Sequence, residues 1–284
     1  MARDRSQPND QGGGSRTTTF RSPGTLYVVG TPIGHPDDIT LRALATLRLV
    51  TVIASEDPRA TQALLAHHGI TATVTSYGHD GLGAHHGITA TVTSYGPFNR
   101  HEKMLLLLHR LTQGQDVVLV SDNGTPVIYD PGSLFVAAAH QAGIPVKAIP
   151  GPSAMTASAA ISGFSGDAII FDGHLPSNSH RLAQYLSPLR KERRTLVFYV
   201  GPRALTGLLK TLVQILPTRQ IAIAMNLTTH EETLSRGTPG ELLDQIRPVP
   251  KGSTVTVVIE GYGVRSQRKM SGRASRTTRL HGGG

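Results

Sequence analysis

Along the first half of the chain, short apolar runs alternate with stretches in which Leu and Ala recur at helical spacing. Residues 25–29, 50–54, 116–120 and 144–149 read as strands, and 39–49, 60–66, 100–111, 132–142 and 153–161 as helices. Asn99 is the expected N-cap of the helix at 100–111, and Gly143 the expected C-cap of the helix at 132–142. The strand runs are continuously apolar instead of alternating. Strands buried on both faces read this way, so the pattern predicts a mostly parallel sheet with helices on both sides.

Beyond Pro150-Gly151-Pro152 the texture changes. Strands are expected at 168–171, 195–199, 220–225 and 254–259, with a short added one at 233–236. Helices fit 181–189, 205–215 and 239–246. The fold class is therefore two α/β domains, at 25–149 and 150–262, the first with a mostly parallel sheet and the second with a mixed one. Polar, basic tails at 1–24 and 263–284 flank them.

One stretch occurs twice. Residues 66–78 and 84–96 both read AHHGITATVTSYG, offset by 18 positions. Solenoid repeats diverge and come in threes or more, so this is a local tandem duplication. One copy of the strand fills one slot in a parallel sheet. The other must bulge from the surface, add at an edge or compete for the slot. The second copy keeps its link to Asn99 and the following helix, and is favoured as the strand.

Composition narrows the class. With 38% hydrophobic and 17% charged residues in 284, the chain is apolar enough for a sizeable core. No apolar run approaches the roughly 20 residues that span a bilayer, and the polar start lacks the apolar stretch of a secretory signal. The absence of Cys excludes disulfides, thiolate zinc sites and cysteine nucleophiles. A cytoplasmic protein is expected. The net charge of +9 sits mostly at the ends. Arg265, Arg268, Lys269, Arg273, Arg276 and Arg279 crowd the last segment with no acid among them. Basic arms bind phosphate backbones by counterion release, although such a tail also serves solubility alone.

Three Gly/Pro-rich turns each follow an expected strand: Gly30-Thr31-Pro32-Ile33-Gly34, Ser121-Asp122-Asn123-Gly124-Thr125-Pro126 and Pro150-Gly151-Pro152-Ser153-Ala154. Open parallel sheets bind ligands at strand carboxyl ends, where Gly lets backbone approach and exposed N–H groups donate. None of the three is a P-loop or a GxGxxG fingerprint, which disfavours a nucleoside triphosphate or a dinucleotide. His67-His68 and His85-His86 invite a metal reading, but neighbouring His side chains do not converge as i, i+4 ligands do, and no metal is expected. His101 fits a first helical turn, and residues 105–108 fit core packing. His230-Glu231-Glu232 lacks the second His of a zinc-protease motif. Tyr199, at a strand end, reads equally as cleft or core.

In the order LYVVGTPIGHPDDITLRAL, VIASEDPRATQALLAHHGI, VVLVSDNGTPVIYDPG, AGIPVKAIPGPSA, RTLVFYVGP and the HEE segment, the chain resembles the tetrapyrrole methylase superfamily of S-adenosylmethionine-dependent enzymes. The resemblance covers roughly residues 25–261 and is strongest to a branch that methylates ribosomal RNA. It implies a methyl donor in a cleft between two α/β domains, 2′-O-methylation of a cytidine in 16S rRNA of the small ribosomal subunit, and a homodimer. By the same resemblance, Thr31, Pro32, Ile33, Gly34, Asp122, Asn123, Gly124, Thr125, Pro150, Gly151, Pro152 and Ser153 would wrap the donor. Glu56, Asp57 and Arg59 match an acidic-acidic-x-Arg stretch beside the cleft and are the catalytic candidates. Arg59 and the basic tail would hold RNA phosphates. The chain departs from the family at His35, Pro58, Asn123, Tyr129 and Pro97-Phe98. It departs further at 199–203 and 225–229, where charged residues give way to uncharged ones. The donor side is thus better retained than the acceptor side. A small tetrapyrrole acceptor, or a non-catalytic donor- or RNA-binding protein, stays open on the residues alone.

Overall fold

The computed structural model describes residues 22–75, 90–96 and 99–263. Its first sheet comprises β1 (Leu26–Val29), β2 (Val52–Ser55), β3 (Ala72–Thr75), β4 (Ala90–Ser94), β5 (Val117–Val120) and β6 (Val146–Ile149). The order is β3-β4-β2-β5-β1-β6 and every pairing is parallel. Helices α1 (Leu41–Leu49), α2 (Pro58–His67), α3 (Arg100–Thr112) and α4 (Ser133–Gln141) cover it. Within β2 and β5, alternate residues face opposite layers. Ile53, Val118 and Val120 pack with Ala43, Leu47 and Leu65 of α1 and α2. Val52, Ala54, Val117 and Leu119 pack with Leu107, Leu111, Phe135 and Ala139 of α3 and α4. Two filled faces explain the continuous apolar runs.

The second sheet contains β7 (Ile169–His174), β8 (Thr195–Tyr199), β9 (Ile221–Met225), β10 (Thr233–Gly237) and β11 (Val255–Ile259), in the order β10-β9-β11-β8-β7. β7 and β8 are parallel and the remaining pairs antiparallel, so the sheet is mixed. Leu196, Phe198, Ile223 and Val257 form its main core with α6 (Ser179–Leu186), α7 (Leu205–Ile215) and α8 (Pro239–Gln245). α5 (Ala154–Ser162) packs on the opposite face, where Met155 and Ala159 meet Val197, Ala222 and Val258.

Both copies of the duplicated strand enter the first sheet. The second copy takes the inner slot as β4, between β2 and β3, and the first adds at the edge as β3. They pair in parallel with Ala72 opposite Ala90 and Thr73 opposite Thr91, so identical residues lie side by side. A parallel pairing needs a crossover of a dozen or more residues, and the 14 residues between Thr75 and Ala90 are enough for one.

Some local expectations shift. Asn99 stands at the N-cap of α3 without a side-chain capping bond. Its amide instead donates to Ser94 Oγ (2.8 Å), and its Oδ1 accepts from the Gly96 N–H (2.9 Å), closing the turn after β4. Leu107 is fully buried, whereas Leu105 in the same run is 66% exposed. Four consecutive residues span more than one helix face, so the run cannot all be core.

Candidate active site between the domains

The strand order brings the three turns together. From β1 the chain crosses to β2 on one side, and from β5 it crosses to β6 on the other, so the direction of winding reverses between β1 and β5. Crevices form at such switch points. Because β5, β1 and β6 are neighbours, the turns after them lie side by side. The Thr31 N–H donates to the Gly124 carbonyl (2.9 Å), and the Gly124 N–H donates to the Pro32 carbonyl (3.3 Å). Thr31 Oγ1 donates to the Ser121 carbonyl (3.0 Å), and Thr125 Oγ1 to the Pro152 carbonyl (3.3 Å). Gly30 and Gly151 touch backbone to backbone, and a Cβ on either would lie 2.8 Å from the other's main chain.

These bonds redistribute the expected donor-site residues. Ile33, Asn123, Gly124, Thr125 and Ser153 line a cavity of about 310 Å³ between the domains. Pro32, Gly34, Asp122 and Asn123 line a neighbouring cavity of about 340 Å³. Thr31 is buried behind the turns, and its N–H and that of Gly124 bond to protein carbonyls instead of facing a ligand. Pro150, Gly151 and Pro152 form the strut beneath and do not line the interdomain cavity. The glycines there serve close packing of turn on turn.

The opposite wall comes from the second domain, and of it Tyr199 and Val200 fall in the RTLVFYVGP stretch. His174, Tyr199, Val200, Ala224, Leu227 and Thr256 line it. Ile33 also packs with Ala224, Leu227, Ala154 and Ala157, which closes the domain junction. The first turn presses against this wall. A Cβ on Gly34 would lie 2.2 Å from the Leu227 carbonyl, and the His35 N–H donates to Thr228 Oγ1 (2.9 Å). Left-handed backbone at non-glycine residues is concentrated in the two facing loops: Val127 (φ 75°) and Tyr129 (φ 64°) on one side, Asn226 (φ 49°) and Thr228 (φ 63°) on the other. Such conformations persist where surrounding structure enforces them and are frequent at functional sites. Here Asn226 is held by reciprocal bonds with Thr254, through main chain (2.9 Å) and side chain (3.0 Å).

Tyr129, His174 and Tyr199 line the cavity, and Phe171 backs Tyr199. The Tyr129 ring lies 4.6 Å from His174, and Tyr199 packs 4.8 Å from Phe171. Tyr129 rests on Gly173, where a Cβ would strike the ring at 2.0 Å. Tyr199, open between core and cleft on sequence, is half-buried and lines the cavity.

The acids on the first-domain side are strained electrically. Half-burial pushes Asp130 up to about 6, with the charge on Asp122 adding to it and a hydrogen bond from Ser121 opposing it. Glu56 and Asp122 are raised as well, chiefly by burial. Burial lowers His174, favouring its neutral form. Asp130, which lines the cavity, was not a sequence candidate. Its signal was its place in the YDPG stretch, one residue from Tyr129.

The catalytic candidates from sequence separate into different roles. Asp57 N-caps α2, its Oδ1 accepting from the N–H groups of Arg59 (2.9 Å) and Ala60 (3.2 Å). Its own N–H donates to Asp122 Oδ1 (2.8 Å), tying α2 to the second turn. Arg59 is exposed in the first turn of α2, and no ion pair joins it to Glu56 among the described residues. His101 is exposed in the first turn of α3. The basic residues Arg265, Arg268, Lys269, Arg273, Arg276 and Arg279 lie outside the described residues, as do His85-His86 and Pro97-Phe98. No helix among the described residues is long and apolar enough to cross a membrane.

A methyl donor of the S-adenosylmethionine type fits this chemistry. The volume is at the lower end of ordinary ligand sites, roughly 300–1,000 Å³. Ile33, Ala154, Ala224 and Leu227 offer apolar contact, and Asp130 places a carboxylate where a cationic ligand gains from it.

Comparison with known proteins agrees with this geometry. The profile of the tetrapyrrole (corrin/porphyrin) methylases matches residues 25–243. A protein named ribosomal RNA small subunit methyltransferase I from Thermotoga maritima is 36% identical over 84% of this chain and 99% of its own. A protein of the same name from Micromonospora olivasterospora is 36% identical over 95% of this chain and 82% of its own. The crystal structure of uroporphyrin-III C-methyltransferase from Thermus thermophilus, complexed with S-adenosyl homocysteine, shares the fold. It has a TM-score of 0.53 at 21% identity, over 86% of this chain and all of that one.

Proposed function

This chain belongs to the tetrapyrrole methylase family and is a methyltransferase, and from that premise we propose that it methylates the 2′-hydroxyl of a cytidine ribose in 16S rRNA, using S-adenosylmethionine. The observation that carries the reading is the interdomain cavity, with an ionisable carboxylate and aromatic rings in its wall. The names of the relatives supply the RNA. When bound, the donor supplies an electrophilic methyl group on a positively charged sulfur.

The chain's own residues supply placement, charge and a proton acceptor. The apolar wall of Ile33, Ala224 and Leu227 excludes water from the donor. Holding the acceptor hydroxyl in line is worth on the order of 7–11 kcal/mol in reactions of this kind. Asp130 offsets the donor's positive charge and accepts the proton that leaves the hydroxyl. A base with a pKa near 6 is mostly ionised at neutral pH, and positioned bases contribute about 10²–10⁴-fold. Tyr129 and His174 present rings on which a nucleobase stacks, an interaction worth about 1–3 kcal/mol. Arg59 and the basic tail hold phosphates outside the acidic cleft. The same reading places the enzyme in the cytoplasm as a homodimer.

The test is methyl transfer from labelled S-adenosylmethionine to small ribosomal subunits that lack 2′-O-methylation, with the product mapped by nucleotide. Label on one cytidine ribose is the expected result. Transfer to a tetrapyrrole with none to RNA would replace this acceptor. Donor binding without turnover on either would leave a binding protein.

A further inference from the structure

We propose that Asp37, His67 and His68 bind a divalent transition-metal ion of the zinc type, clamping the loop after β1 to the end of α2. One ligand atom from each of the three lies within 4.8 Å of those from the other two. Asp37 Oδ1 is 2.8 Å from His67 Nε2, and His68 Nε2 is 3.0 Å from the Pro36 carbonyl, so both rings reach over the same turn. Two imidazoles and a carboxylate are an ordinary set for zinc, with water in the remaining position. Bonds of about 2.0–2.1 Å place tetrahedral ligand atoms roughly 3.3 Å apart. The shortest pair is already inside that spacing, and the longest, at no more than 4.8 Å, has to shorten on binding.

Consecutive residues on a regular helix diverge by about 100°, which is why the His pair looked unpromising in the sequence. The helix ends between them. His67 is the last residue of α2, and His68, at φ −96° and ψ 16°, steps off it. The two rings then meet edge to face with centroids 4.8 Å apart. Asp37 is also held from its own side. His35 Nδ1 accepts from the Asp37 N–H (3.2 Å) and caps the short 3₁₀ turn that Pro36 begins. The site is exposed, which leaves it accessible to ions. Through His35 and Gly34 the same loop presses on Thr228 and Leu227, so a bound ion would brace the junction of the two domains.

The inference does not depend on the acceptor assigned above. It is tested with tag-free, full-length protein titrated with zinc chloride in a calorimeter. One equivalent should bind and raise the melting temperature. His67→Ala, His68→Ala and Asp37→Asn should each weaken binding tenfold or more. Circular dichroism and a metal-free melting temperature close to the parent's would establish that these variants are folded. The double variant His85→Ala/His86→Ala, in the second copy of the repeat, should bind as tightly as the parent. Binding of Co²⁺ should give the intense visible bands of a tetrahedral site. Absence of saturable binding, non-stoichiometric weak binding, or binding that survives the first set and fails in the double variant would each overturn the proposal.

Discussion

Asp130 sets stability against chemistry. Withheld water raises its carboxyl to about 6, so the fold favours the protonated form. Its stabilising contribution is full at low pH and is lost as pH rises through about 6. Asp130→Asn should therefore melt above the parent at pH 8, with the gap closing toward pH 4. Its turnover should fall about 10²–10⁴-fold, and the cationic donor should bind more weakly while its neutral demethylated product binds about as before. The parent's kcat/KM should climb to a plateau above about pH 6, and a flat profile would remove Asp130 as the base. Gly30 and Gly151 are the other decisive residues. A methyl group on either has 2.8 Å to the opposing backbone, and backbone cannot rotate away. Gly30→Ala or Gly151→Ala should cost about 1–3 kcal/mol in urea unfolding and weaken donor binding as the turns separate.

Among the elements, α2 and the paired strands are the informative ones. Asp57 caps α2 at two N–H groups. Asp57→Ala should cost about 1 kcal/mol in thermal unfolding while leaving a folded donor site. A larger loss of turnover than of stability would restore it as a catalytic candidate. Among the described residues the edge strand β3 pairs only with β4, whereas β4 pairs with both β2 and β3. Excision of residues 66–83 leaves one intact copy of the repeat, its His pair following α2 as the first copy's does. That variant should fold with five strands in the first sheet and bind donor within about twofold of the parent. Loss of folding would show that the edge strand has become essential. The strands themselves were readable from continuous apolar runs. The inner position of the second copy followed from chain connectivity. The edge pairing of identical residues did not, because local pattern is the same in both copies.

Taken as a whole, the molecule carries acids at its cleft and bases at its ends. That arrangement suits a cationic donor inside and an RNA backbone outside. Removing residues 264–284 eliminates six basic residues. The slope of log affinity for RNA against log salt should become shallower, by up to about 4 for single strands if every base meets a phosphate. Donor affinity should be unchanged. An unaltered slope would mark the tail as a solubilising segment. The three turns were legible because Gly and Pro punctuate the ends of strands. The facing wall was not. His174, Tyr199, Ala224 and Leu227 sit at ends of strands in another sheet, and nothing in their spacing relates them to residues 30–34.

By itself, the sequence determined the two α/β units, the order of their elements, the family and the turns at the switch point. Those properties follow from local apolar periodicity and from motifs a few residues long. Tertiary structure alone decided which turn residues face the cavity and which brace it. It also raised Asp130, set the rings in the cavity wall, and brought Asp37 to His67 and His68. Each depends on groups distant in the chain sharing one dry or crowded volume, and burial, charge proximity and backbone contact are properties of that volume, not of any segment.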